Sequence, residues 1–161
     1  MNRLYFSNNA ISSLSSAREK KNKLISLDRE LSSTQTEIFI FKLKNQSGID
    51  VLSKTFEEQR IQSSRRVIIS DIADNIYMSI INALNALTFS INSNNGAMVI
   101  LDDHLIQNIS SFINEYYKND EIKSAIKERI RFSSISINIT QLSINSRHFM
   151  PGLMSLQNAL R

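Results

Sequence analysis

The stretch ISINITQLSINSRHFMPGLMSLQNALR (135–161) decides the fold, because it can be read with two periods. Its opening Ile-x-Ile-x-Ile alternates as a half-buried strand does. That alternation holds for Ile135, Ile137 and Ile139 and then stops. Steps of three and four run further. Phe132, Ile135, Ile139, Leu142, Ser146, Phe149, Leu153, Leu156 and Leu160 step 3-4-3-4-3-4-3-4, and Ser146 alone among them is polar. Such spacing lays an apolar stripe along a helix, so the helical reading prevails. Ile137 and Ile144 fall beside the stripe and give the helix a second apolar flank. Pro151 disturbs it: inside a helix its ring deletes one backbone hydrogen bond and clashes with the Arg147 carbonyl, at about 3 kcal/mol. A kink or break is expected at 150–152, followed by a short terminal helix that keeps the phase through Leu153, Leu156 and Leu160.

The N-terminal half carries a matching seam. Leu24, Leu27, Leu31, Thr34, Ile38 and Phe41 step 3-4-3-4-3, with Phe39 and Ile40 beside them. A four-residue skip passes NQSG (45–48), and the seam resumes at Ile49, Leu52 and Phe56. A local unwinding can absorb such a skip, which leaves 42–60 open as one helix or two. Ile72, Ile76, Ile80, Leu84, Leu87 and Ile91 mark a further amphipathic stripe. NSNNGA (92–97) reads as a loop, and MVIL (98–101) as a short strand or the lead into a helix. Asp102 or Asp103 is expected to cap the helix that follows, and Asn119 or Asp120 the next one.

Composition agrees with helix. Three glycines and one proline stand where an average chain of 161 residues carries roughly 11 and 8. The expected fold is all-α: long N- and C-terminal helices paired as an antiparallel coiled coil, with a shorter helical central region. Residues 1–17, Ser/Asn-rich and without the apolar core of about 7–15 residues that a cleaved secretory signal has, are expected to be mobile. Residues 18–161 then form one helical coiled-coil domain with a central loop near 92–101. The seam residues expected to drive packing and self-assembly are Leu24, Leu27, Leu31, Ile38, Phe41, Leu52, Phe56, Phe132, Ile135, Ile139, Leu142, Phe149, Leu153, Leu156 and Leu160.

Little in the sequence points to chemistry. There is no cysteine, so thiolate metal sites and a Cys nucleophile are excluded. His104 and His148 are far apart in the chain, and Asp102-Asp103-His104 at a helix start reads as capping. No phosphate loop, nucleophile elbow or zinc-protease motif occurs. The chain is read as a non-enzyme without cofactor or metal. Net charge is +4, and the basic runs AREKKNK (17–23), Arg65-Arg66 and KERIR (127–131) are interleaved with or flanked by Glu19, Asp28, Glu30, Glu57, Glu58 and Glu128. Interleaved charge suits a solvated helix face better than a nucleic-acid face. No run reaches the roughly 18 uninterrupted apolar residues of a membrane span, so no stable membrane insertion is expected.

Two ungapped stretches resemble the EspA-like extracellular filament subunits of bacterial type III secretion systems. In FKLKNQSGIDVLSKTFEEQRIQS (41–63), Phe41, Gln46, Asp50, Phe56 and Ser63 recur at family-like spacing. In KSAIKERIRFSSISINITQLSI (123–144), Lys123, Ala125, Ile126, Asn138, Gln141, Leu142 and Ile144 do so, and ISSFINE (109–115) resembles the family's central region. The resemblance covers about a third of the chain. It implies an uncleaved export signal near the N-terminus and coiled-coil packing of the terminal helices. It implies polymerisation into a hollow tube on the bacterial surface that extends the secretion needle and conducts exported proteins. A dedicated cytoplasmic chaperone would cover the helices before export. Pro151-Gly152 and the basic charge depart from the family pattern. The alternative reading is a cytoplasmic coiled-coil secretion chaperone or adaptor.

Overall fold

The computed structural model describes residues 2–44 and 48–161. The skip at 45–47, with Gln46, lies outside the described residues. Six helices follow one another: α1 (Arg3–Leu43), α2 (Gly48–Asn92), α3 (Gly96–Tyr116), α4 (Asp120–Arg131), α5 (Ile135–Asn145) and α6 (Pro151–Ala159). Among the described residues there is no strand.

Helix α1 begins far earlier than expected. The Asn2 side chain accepts from the Tyr5 N–H at 3.1 Å and opens a helix of 41 residues. Residues 3–17 are therefore helical, and Ala10 and Ala17 are wholly buried. Their burial extends a seven-residue spacing, Ala10, Ala17, Leu24, Leu31 and Ile38, along one side of α1. The partner of that side is α2. Ser79 Oγ donates to the Ala10 carbonyl at 2.8 Å. Further along, Lys20 pairs with Asp71, Asp28 with Arg65, Glu30 with Arg60 and Glu37 with Lys54. Numbers rise along α1 as they fall along α2, so the two helices lie side by side in opposite directions. The region 42–60 is thus two helices, not one.

The second half of α2 carries the main core. Ile72, Ile76, Ile80, Leu84 and Leu87 are buried, as their spacing requires. Each such side chain removed from water stabilises by about 1.5–3 kcal/mol. Helix α3 returns along this half. Its Asp102 binds Arg3, and the Tyr116 hydroxyl donates to the Ala17 carbonyl at 3.2 Å. Only 93–95 separate α2 from α3. Asn94 takes φ 55°, a left-handed conformation that asparagine tolerates, and Asn95 caps α3 by accepting from Met98 N–H. The expected loop near 92–101 is thus a three-residue turn, and 98–101 lies within α3.

Asn119 caps α4, accepting from Glu121 and Ile122 N–H at 3.0 and 3.1 Å. Asp120 and Glu121 in its first turn and Arg129 and Arg131 in its last suit the helix dipole. Arg129 reaches Asp74 and Ser70, and Glu121 reaches Arg65, which fixes α4 along the outer side of α2.

The C-terminal seam does not form one long helix. It breaks at 132–134, where Ser133 Oγ donates to the Ile130 carbonyl and accepts from Ile135 N–H. It breaks again at 146–150, ahead of Pro151. Proline then occupies the first turn of α6, where its missing N–H costs nothing. Phe132 and Phe149 sit at these breaks and are exposed. Within the short helices the phase survives: Ile135, Ile139, Leu153 and Leu156 are buried, and Leu142 and Leu160 pack against the core. The expected pairing of N- and C-terminal helices is replaced by α1 on α2, with α6 packing on α3 and α4 on α2. The inward side of α1 is already covered by α2 and touched by α3, so nothing remains there for a C-terminal helix.

Candidate assembly surface

The core stops short of the molecule's full length. Among the described residues, none between 25 and 67 belongs to the main hydrophobic cluster. Beyond its root, where Arg65 meets Glu121 of α4 and Ile25 lies beside Phe112 of α3, the two helices pack on each other as an arm projecting from the six-helix base. Thr34, Ile38 and Ile61 are its buried residues, and Leu27, Leu31 and Phe41 are half-buried against α2. The arm is braced by ion pairs. Lys54 lies 2.6 Å from Glu37 and 3.2 Å from Glu57, and its hydrogen bonds to them, Glu37 first, hold its pKa above the ordinary lysine range. Arg65, at the arm's root, is likewise raised by its bonds to Glu121 and Asp28.

The outward faces of the arm are apolar. Leu52 stands nine residues before Ile61, about two and a half turns, and so on the side of α2 away from α1. It is 53% exposed, and its neighbour on that side, Phe56, 61%. Neither lies on the inner seam as expected. The chain reverses between α1 and α2, so the phase of the first seam is not carried across, and Val51, Lys54 and Ile61 take the inner line instead. On α1, Phe39, Ile40 and Leu43 lie about 100–200° round from buried Ile38, with Phe39 62% and Leu43 68% exposed. The two outward faces thus point in different directions.

A second uncovered region lies near the C-terminus. Helix α5 buries Ile135 and Ile139 but exposes Ile137 and Ile144, and no charged residue occurs between 133 and 146. Ile137 and Ile144, like Phe39 and Ile40, are flank residues in the sequence and are exposed in the fold.

Charged and titratable groups serve mostly as internal ties. Arg18 stacks over Phe112 and Lys21 over Tyr116, with the cation 5.4 and 4.3 Å from the ring centre. Burial raises the Tyr116 and Tyr117 hydroxyls to about 12. His104 and His148, distant in sequence, line one cavity of about 460 Å³ beside Asp103. Both Asp103 oxygens there accept from N–H groups of α6. Among the described residues no group of three or more His, Cys, Asp or Glu is placed to hold a metal ion. By length and composition α2 could cross a membrane, yet half of its most apolar window is buried inside the fold.

This is an all-helical protein in which a two-helix arm exposes apolar side chains, as α5 does. The chain matches no protein-family model, no curated protein and no solved structure.

Proposed function

We propose that the chain is a structural subunit of a secreted helical filament that extends a type III secretion needle and conducts exported proteins. The observation that carries this reading is the arm with apolar residues on two outward faces, Phe39 and Leu43 on one, Leu52 and Phe56 on the other. One partner covers only one such face. A second face left open after the first is filled favours repetition over a closed pair. In the filament the arms of neighbouring copies pack as coiled coils, with the base of each subunit folded as in the monomer. The EspA-like stretches 41–63 and 123–144 support the same reading and bring its setting. Copies travel with a dedicated secretion chaperone before export and assemble outside the bacterium on the needle.

The test uses outward residues, because Leu156 and other core seam residues are needed for folding itself. Electron microscopy should show tubes or long oligomers for the unaltered protein and none for Leu52→Asp with Phe56→Asp, whose helix content by circular dichroism should be unchanged. Tubes that persist in the double variant count against the reading. So does an unaltered protein that stays monomeric when concentrated.

A cytoplasmic secretion chaperone or adaptor is the second reading, favoured by a base that completes its core within one chain. Fractionating cultures separates the two, since only a filament subunit reaches the supernatant or the cell surface.

A further inference from the structure

Between α2 and α4 runs an open groove of about 990 Å³. Its floor is apolar, with Ile69, Tyr77 and Ala125, and exposed Phe132 closes one end. Its α4 rim carries Asp120, Glu121 and Glu128 beside Arg129, which is bound to Asp74 of α2. With Arg66 on the α2 side, the lining holds four carboxylates to two guanidinium groups and is acidic on balance. Glu121 is bound to Arg65, whereas Asp120 and Glu128 have no cation partner among the described residues.

The far end of α1 has complementary character. Phe39 and Leu43, one turn apart, form the kind of paired anchor with which a helix fills a groove. About the helix axis, Lys42 lies to one side of this stripe and Lys44 to the other, and neither has an acidic partner among the described residues. Leu52 and Phe56 suit the groove less well, because Glu57 and Glu58 follow them and match the rim in sign.

Resting on the self-assembly reading above, we propose that the lysine-flanked apolar end of α1 in one copy docks in the acidic groove between α2 and α4 of the next copy. The occupant is a second molecule for a geometric reason. The groove residue nearest the arm on α2, Arg66, lies 18 residues beyond Gly48 in one unbroken helix, about 27 Å from the tip. A chain cannot bend its own tip into its own groove. Tip and groove are different surfaces, so each copy makes the contact twice and the contact propagates head to tail. Covering Phe39 and Leu43 removes on the order of 250 Å² from water, well short of the ~800 Å² per partner of a stable isolated pair. The contact therefore acts together with the side-by-side packing of arms, and an isolated dimer does not accumulate.

The absence of native cysteine makes the test clean. Leu43→Cys and Ser124→Cys both alter exposed positions. Mixed and oxidised, the two single variants should yield a 43–124 heterodimer in preference to either homodimer, and the double variant a ladder of linked oligomers. Homodimers formed as readily as the heterodimer overturn the proposal. If the unaltered protein assembles and no 43–124 link forms, this contact is wrong and self-assembly stands. If the unaltered protein stays monomeric and no link forms, both fail. Charge gives a second measurement. Asp120→Lys with Glu128→Lys should raise the concentration for half-assembly about tenfold, and adding Lys42→Glu with Lys44→Glu to that chain should restore it. A reversal without effect, or without rescue, contradicts the docking.

Discussion

Asp102 and Asp103 are neighbours in sequence that face different parts of the chain. Asp102 is 1% exposed and holds Arg3 at 2.8–3.1 Å together with Ser90, tying the start of α1 to the α2–α3 turn. Asp103 caps a helix that is not its own: it accepts from Gly152 and Leu153 N–H at 2.8 and 2.9 Å. An aspartate at this place in the sequence reads as the cap of the helix that follows it. The cap of α3 is Asn95, and the true target of Asp103 lies about fifty residues on. Nothing local in a sequence reveals a cap supplied from elsewhere. Gly152 is explained by the same contact, since a Cβ there would stand 2.0 Å from the Asp103 carbonyl oxygen. Asp103→Ala, which strips the cap, is expected to cost about 1–2 kcal/mol. Gly152→Ala, which forces α6 off α3, should cost about 1–3 kcal/mol. Urea midpoints of the two variants measure both. A midpoint unchanged in either would mean that α6 is not held in this way.

Elements were legible where a single helix face decides, and illegible where a partner decides. The steps of three and four correctly mark the buried sides of α2, α5 and α6 through Ile76, Ile139 and Leu156. They could not show that the C-terminal seam is cut at 132–134 and 146–150, because a short break that restarts in phase leaves the spacing intact. They also missed the first half of α1, where the buried side chains are Ala10 and Ala17, too small to stand out among Ser and Asn. The seven-residue spacing that joins them to Leu24 was the available signal. Arm and base should differ in stability, because the arm is two helices with few buried residues and the base is a full core. Backbone amides of 26–43 and 48–64 are expected to exchange with deuterium well before those of 72–87. Ile61→Ala should speed exchange in the arm by the equivalent of about 2–4 kcal/mol and leave 72–87 unchanged, so exchange that rises equally in both would show one cooperative unit. The end of α3 carries a pH response. Tyr116 and Tyr117 are raised from near 10 to about 12, mainly by burial. The unfolded chain loses these protons first, so the stability they contribute is full below about pH 10 and is lost as pH rises towards 12. Tyr116 and Tyr117 should ionise well above pH 10 in an ultraviolet titration. Ionisation of these two near pH 10, with the fold intact, would contradict their burial.

For the whole molecule the sign of the temperature response follows from what is left uncovered. The outward faces of the arm and of α5 are apolar, and the net charge of +4 opposes contact between copies only weakly. Assembly driven by such faces removes apolar surface from water, and that driving force weakens on cooling. In the proposed docking, rim ion pairs between Lys42 or Lys44 and the α4 carboxylates would add direction but little strength, being exposed and screened by salt. The two contributions therefore separate by condition. Oligomers formed at room temperature should shrink reversibly on cooling towards freezing and regrow on warming, as followed by light scattering. Raising salt from low to moderate should weaken the docking of tip in groove and leave the apolar contacts between arms in place. Leu52→Asp with Phe56→Asp should remove the cold-sensitive part, and Asp120→Lys with Glu128→Lys the salt-sensitive part. Oligomers that grow on cooling, or that disperse entirely in moderate salt, would mean that charge rather than the exposed leucines and phenylalanines holds the copies together.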